Sequence, residues 1–360
     1  MRNWECFSKN HYLNFDQRLD KVEEWDKKNH PLERVCSLTG APGVGKSWTV
    51  QYIASTWGHS PKRFVFVLDC PEIFIEKSGR SRLDYDRAFN WLKHITNDVR
   101  EHCSEVPQPD HVKAFSLNIQ KLVDVLCHTC HWEKPPILLV DGYDEIDPSG
   151  RGELNRKLLE FFVSAGCTKI IIARRQQNSL MSDILRRMEK NIELAELMST
   201  VFCKKQFQNI KDTFHANKTH LTETNLDEFL STLPEYHWNH PYINGYLFDC
   251  ALSNIRGTHP TWLTNENLEE CCKDLVRRPD NFGNSRHLEL TPSEFVTLIR
   301  IAHLDTPNWT QIQLRRQLGI DILSLESLFD RGLLINLHNS LYYSINNGLR
   351  GILRSIQEKI

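Results

Sequence analysis

The stretch Gly40-Ala41-Pro42-Gly43-Val44-Gly45-Lys46-Ser47 constrains this chain more than any other. It follows a short apolar run, Val35-Cys36-Ser37-Leu38-Thr39, and precedes a helix-compatible segment from Trp48 to Trp57. Strand, glycine-rich loop and helix, in that order, are the context a phosphate-cradling loop requires. Glycines let consecutive backbone N–H groups turn inward to phosphate oxygens, and the N-terminus of the next helix adds partial positive charge. Lys46 supplies a mobile cation for the β- and γ-phosphates, and the Ser47 hydroxyl suits Mg2+. Gly40, Ala41, Pro42, Gly43, Val44, Gly45, Lys46, Ser47 and Trp48 form the expected nucleotide-binding set, with ATP or ADP and Mg2+ as ligands.

A loop of this kind needs an acidic partner at the end of a buried strand. Pro136-Ile137-Leu138-Leu139-Val140-Asp141 supplies one, and Asp141 is the expected second Mg2+ residue beside Ser47. Asp144 and Glu145 follow, within reach of a water attacking the γ-phosphate. Glu145 is the first candidate to orient or deprotonate that water, and Asp144 the second. Arg174 ends a further apolar run, Lys169 to Arg174, at the strand end where ligands bind in parallel sheets. A guanidinium there reads the γ-phosphate and stabilises transition-state charge, with Arg175 as its competitor.

The apolar runs 35–39, 63–69, 137–141 and 169–174 alternate with helical periodicity at 84–103, 111–132 and 152–165. That alternation predicts an α/β fold with a right-handed, mostly parallel sheet, and a short strand at Ile192-Glu193-Leu194 is expected to close it. An amphipathic helix from about Phe15 to Lys28, with Leu19, Val22 and Trp25 on one face, covers the sheet or serves as a docking surface. The β signal then stops. Helices are expected at 199–217, 225–233, 242–256 and 265–278. Thr291-Pro292-Ser293-Glu294 is a capped helix start, followed by helices at 292–304, 309–318 and 321–332 and a hairpin around His338-Asn339-Ser340. Three helices and a hairpin predict a winged-helix arrangement, with a last helix at 348–358 and Leu323, Leu325, Leu328 and Leu333 as core. The expected organisation is an N-terminal helical segment (1–33), a nucleotide-binding domain (34–198), a helical domain (199–284) and a winged-helix domain (285–360).

A formal net charge of −2 provides no bulk attraction to nucleic acid or membrane. No apolar run approaches the roughly 18 residues that span a bilayer. The first residues lack the apolar stretch of a signal peptide, and the 11 cysteines show no disulfide-framework spacing, so a cytoplasmic location is expected. Cys127-His128-Thr129-Cys130-His131 has a haem-attachment spacing, but no export signal and no second ligand pair accompany it, which leaves partly buried thiols. There is no internal repeat.

The chain resembles the signal-transduction ATPases with numerous domains (STAND), of the AAA+ superfamily, and among them the NACHT-type ATPases. Asp141-Gly142-Tyr143-Asp144-Glu145 is similar to that family's D-G-x-D-E form, and Ile172-Ala173-Arg174-Arg175 to its sensor strand. His240-Pro241-Tyr242-Ile243 resembles its Asn-Pro-Leu-Leu segment, which implies that Pro241 packs against the adenine base. The resemblance implies an ATP-binding, slowly hydrolysing switch in signalling or defence that changes assembly or protein partners with nucleotide state. The chain departs from the family at the winged-helix histidine, where Asn346 stands, and in lacking a leucine-rich or tetratricopeptide sensor. The rival reading is an origin-recognition-like ATPase that uses its winged helix on duplex DNA. The expected recognition helix, Asp321 to Gly332, carries Asp321, Glu326 and Asp330 against Arg331, which disfavours phosphate contacts.

Overall fold

The computed structural model describes residues 12–28, 30–40, 43–58, 62–77, 80–104, 106, 108–109, 115–128, 130, 132–143, 158–164, 168–174, 181–195, 198–216, 227, 240–254, 291–305, 308–320, 322–330, 333–336, 342–345, 350 and 353–354. The chain divides into two compact units, Met1–Gly40 with Lys46–Leu194 and Ala41–Gly45 with Ala195–Ile360.

The first unit is built on a parallel sheet of β1 (Val35–Thr39), β2 (Val65–Asp69), β5 (Ile137–Asp141), β6 (Lys169–Arg174) and β7 (Glu189–Glu193), in the order β2-β5-β6-β1-β7. Burial explains the composition. The inner strands β1, β5 and β6 are buried at every position and read as continuous apolar runs, whereas the edge strand β7 buries only Ile192. Alternate strand residues (Phe66, Leu68, Leu138, Val140, Ile170, Ile172) pack with α4 (Tyr85–His102), α5 (Phe115–His128), α6 (Glu160–Ser164) and α7 (Asp183–Arg187). The other face is covered by α1 (Arg18–Lys28) along β7 and α2 (Lys46–Trp57) along β2, β5 and β6. Because all five strands run the same way, Thr39, Asp69, Asp141, Arg174 and Glu193 share one edge.

The helix α1 covers the sheet. Its Val22 and Trp25 are buried, and Asp26 forms a bidentate pair with Arg63 at 2.9 Å on each arm. Lys169 Nζ donates to Asp26 Oδ1 at 3.1 Å and to the Asp26 carbonyl at 2.7 Å, and lies over the Trp25 ring. Burial works to raise the Asp26 carboxyl, but the hydrogen bonds and charges of Arg63 and then Lys169 outweigh it and hold it below the ordinary value. Burial pulls Lys169 down from the usual lysine range against the opposing charge of Asp26.

In the second unit, α8 (Thr200–Phe214) packs against α9 (Pro241–Asn254). Then come α10 (Pro292–Ala302), β8 (Asn308–Thr310), α11 (Gln311–Leu318), α12 (Ile322–Asp330), β9 (Leu334–Asn336) and β10 (Tyr342–Ile345). The last three strands form an antiparallel sheet, β8-β10-β9. Capping boxes start α10 (Thr291 with Glu294) and α11 (Thr310 with Gln313), and Gly319 ends α11 at φ 63°, a left-handed value that suits glycine. Phe207, Leu247 and Phe248 of α8 and α9 share one hydrophobic cluster with Leu298, Trp309, Leu314, Leu328 and Ile345, so this core crosses the expected 284/285 boundary.

Several expectations are corrected. Leu323 is not core: it is 76% exposed at the start of α12, while Leu325, Leu328 and Leu333 are buried. The segment 309–318 opens as strand β8, because Asn308, Trp309 and Thr310 pair with Ser344, Tyr343 and Tyr342. The closing strand runs Glu189–Glu193, set by pairing with β1 and not by its own apolar content. The hairpin of β3 (Phe74–Lys77) and β4 (Arg80–Leu83), the short helix α3 (Cys70–Ile73) and α7 carry no strong period in sequence and were not foreseen. Cys127 is disulfide-bonded, whereas Cys130 is a free thiol, so the two do not pair with each other. The helix expected at 265–278, all but Asp227 of the one expected at 225–233, the hairpin turn 338–340, Asp321, Arg331 and Asn346 lie outside the described residues, as do all but Arg350, Leu353 and Arg354 of the expected last helix.

Candidate nucleotide site

The loop bends where glycine is needed. Gly43 and Gly45 adopt φ of 79° and 89°, left-handed values at which a side chain is strained, and the loop delivers the chain straight into α2 at Lys46. Val44 between them is fully buried, anchoring the loop to the protein. Lys46 Nζ donates to the Gly40 carbonyl at 2.8 Å, so its ammonium sits over the loop's own first residue. Phosphate oxygens compete well for such a cation. Ala41 and Pro42 lie outside the described residues.

The second half of the site comes from β5. Ser47 Oγ donates to Asp141 Oδ1 at 2.9 Å across 94 residues of sequence. The Gly142 N–H also donates to Asp141 Oδ1, at 3.0 Å, and Gly142 turns the chain at φ 69°. Asp141 is 2% exposed at the carboxyl end of its strand. A hydroxyl and a buried carboxylate in contact form a hard oxygen donor pair, the chemistry suited to Mg2+ completed by water and phosphate oxygens. Among the described residues no group of three or more His, Cys, Asp or Glu is placed to hold a metal ion. Trp48 is 43% exposed beside the loop.

Arg174 behaves differently. It ends β6 opposite Thr39, but its guanidinium pairs with Glu189, which lies opposite Val35 at the other end of β1. The side chain therefore runs back along the sheet, away from the strand ends, in a buried ion pair and not a surface one. Asp144, Glu145 and Arg175 lie outside the described residues. Pro241 starts α9 in the second unit, where Gln206 Nε2 donates to its carbonyl at 2.6 Å.

Two features were missed in the sequence. The Tyr12 hydroxyl shares a hydrogen bond with Thr49 Oγ1 at 2.9 Å, its ring stacks on Tyr52 at 4.4 Å, and burial pushes its pKa up to about 12. The segment before α1 is thus tied to the loop helix. Asp69 ends β2 in register with Asp141. Its signal was available, since Val65-Phe66-Val67-Leu68-Asp69 repeats the apolar-run-then-aspartate form of Ile137 to Asp141.

A protein-family model described as Nephrocystin 3, N-terminal, matches residues 17–175, which hold the loop, Asp141 and Arg174. No curated protein matches the chain. The chain is similar to a signal transduction ATPase with numerous domains and a tetratricopeptide repeat sensor from Pyrococcus horikoshii, at 12% identity and a TM-score of 0.35 over 94% of this chain, and spans 42% of that protein's length. It is similar to Cdc6p of Pyrobaculum aerophilum at 13% identity and a TM-score of 0.44, covering 94% of this chain and 92% of that one. The RuvB Holliday junction branch migration motor of Thermotoga maritima follows at 13% identity and 0.43, covering 92% and 91%. A glycine loop between a buried strand and a helix, an acidic residue at the end of a second strand and a parallel five-stranded sheet together make a P-loop α/β arrangement. Among the described residues no helix is long and apolar enough to cross a membrane.

Proposed function

We propose that this chain is an ATP-binding, slowly hydrolysing molecular switch of the STAND, NACHT-like kind, which changes its assembly or protein partners with nucleotide state. The observation that carries the nucleotide reading is the 2.9 Å contact between Ser47 and Asp141, which joins the glycine loop to its acidic partner. Lys46 and the backbone N–H groups of the loop bind the β- and γ-phosphates, and Ser47 with Asp141 holds Mg2+. When bound, Mg2+ supplies charge neutralisation at the phosphates. Glu145 orients or deprotonates the attacking water, with Asp144 as the alternative.

The switch reading draws on the D-G-x-D-E form of residues 141–145 and on the resemblance of the second unit to helical and winged-helix domains. The exposed Leu323 at the start of α12 supports protein contact over DNA. That helix is the recognition element in the winged-helix reading, and base-edge recognition draws on hydrogen-bonding side chains there. The pairing of Arg174 with Glu189 belongs, on this reading, to a resting arrangement in which the arginine is withheld from the γ-phosphate. The bias between states equals the differential affinity of the two for nucleotide.

The test is the nucleotide content of the purified protein, released by denaturation and separated chromatographically, with sizing in parallel with and without ATP and Mg2+. Retained ADP and a larger assembly with ATP are expected. Failure to bind ATP overturns the nucleotide reading. Binding without any change in size, together with a salt-dependent affinity for duplex DNA, overturns the switch in favour of the origin-recognition-like reading.

A further inference from the structure

The strands β2 and β5 end together on carboxylates. Leu68 pairs with Val140 and Asp69 with Asp141, in a parallel register. In-register residues of a parallel pair direct their side chains to the same face, with strands about 4.8 Å apart. That face is the one α2 covers, since Ser47 of α2 reaches Asp141 and α2 packs along both strands. Asp69 is 7% exposed and Asp141 2%. The register thus sets a second buried carboxylate on the strand next to the one whose carboxylate Ser47 touches, on the same face of the sheet.

Resting on the nucleotide reading above, we infer that Asp69 is a second carboxylate of the Mg2+ site, a positioning residue that acts through water on the ion while Ser47 and Asp141 hold the ion itself. Mg2+ dehydrates reluctantly and keeps several waters, so an outer carboxylate has something to hold. Outer partners orient the inner shell and add to the affinity for the ion. Asp69 does not touch the reacting phosphate in this role. Its effect is on how tightly, and with which waters, the cation sits beside Asp141.

Asp69 also directly precedes α3, where an aspartate can cap the helix. The substitution Asp69→Asn separates the roles, because asparagine caps as well as aspartate while lacking its charge. The full-length chain is loaded with ADP, and Mg2+ affinity is measured by calorimetry, with Mn2+ and its free-ion EPR signal as a second probe. Asp69→Asn is expected to weaken the cation roughly tenfold, with ADP affinity in EDTA and the melting temperature unchanged and Asp69→Glu partly restoring the cation. An unchanged cation affinity overturns the inference and leaves the nucleotide site standing. Equal weakening of ADP in EDTA also overturns it, by making Asp69 structural. If the unsubstituted chain binds nucleotide no better with Mg2+ than without, the Mg2+ part of the function reading fails, and this inference with it.

Discussion

The two ends of the parallel sheet both bury charge, and they do so to opposite effect. At the amino end, Asp26, Arg63 and Lys169 satisfy one another: a carboxylate accepts from a guanidinium and an ammonium, and an aromatic ring covers the ammonium. This cluster holds α1 on the sheet. At the carboxyl end the polar groups gather around the glycine loop that the proposed function assigns to nucleotide. Lys46 rests on a backbone carbonyl, Ser47 contacts Asp141, and glycines at positive φ open the backbone. A buried ion pair whose members satisfy one another is costly to break from one side, whereas a glycine-opened loop beside a strand-end carboxylate presents polar groups that a ligand can engage.

The sharpest test of that contrast is Lys46→Ala. Loss of detectable ATP binding, measured by equilibrium titration, is expected with a melting temperature close to that of the parent. Retained affinity would remove the carboxyl end from the function. Next, Glu145→Gln should keep ATP binding while slowing hydrolysis by about 10²–10⁴-fold, the range of general-base catalysis. Unchanged turnover in a phosphate-release assay would move the role to Asp144.

At the other end, Asp26→Asn should destabilise by about 3–5 kcal/mol in denaturant unfolding, because Arg63 and Lys169 lose the charge that pairs them. Nucleotide affinity of the folded protein should not change. Since the folded-state pKa of Asp26 lies below its unfolded value, its stabilisation is present above about pH 4 and is lost as pH falls through the lowered folded-state value. The variant should therefore show a shallower loss of stability on acidification, and an identical acid limb would contradict the pairing.

The smallest effect concerns the residue that spans both ends. Glu189→Gln keeps a hydrogen-bond acceptor for Arg174 but removes the charge, and should cost roughly 1–2 kcal/mol of stability without reducing hydrolysis. A fall in hydrolysis as large as that of Glu145→Gln would place Glu189 in the machinery of the carboxyl end and break the comparison.

Much of this was legible beforehand, for a physical reason. A glycine loop between an apolar run and a helix, an aspartate closing a second run, and the Thr291 and Thr310 helix starts are local patterns, written within a few residues of each other. Edge elements were less so. The strand β7 takes its bounds from β1, and β8 from β10, because an edge strand's partner contributes what its own pattern lacks. Leu323 was misplaced since a leucine in a helical period does not by itself tell which face is covered.

The sequence alone determined the parallel α/β class and the glycine loop between a buried strand and a helix, because glycine backbone freedom, apolar periodicity and residue chemistry act over short range. Only the tertiary structure decided what stands beside what. The neighbour of Asp141 is Asp69, the partner of Lys169 is Asp26, 143 residues away in sequence, and the guanidinium of Arg174 turns back to Glu189. Those contacts depend on strand order and register, which are set by packing of the whole sheet and not by any one segment.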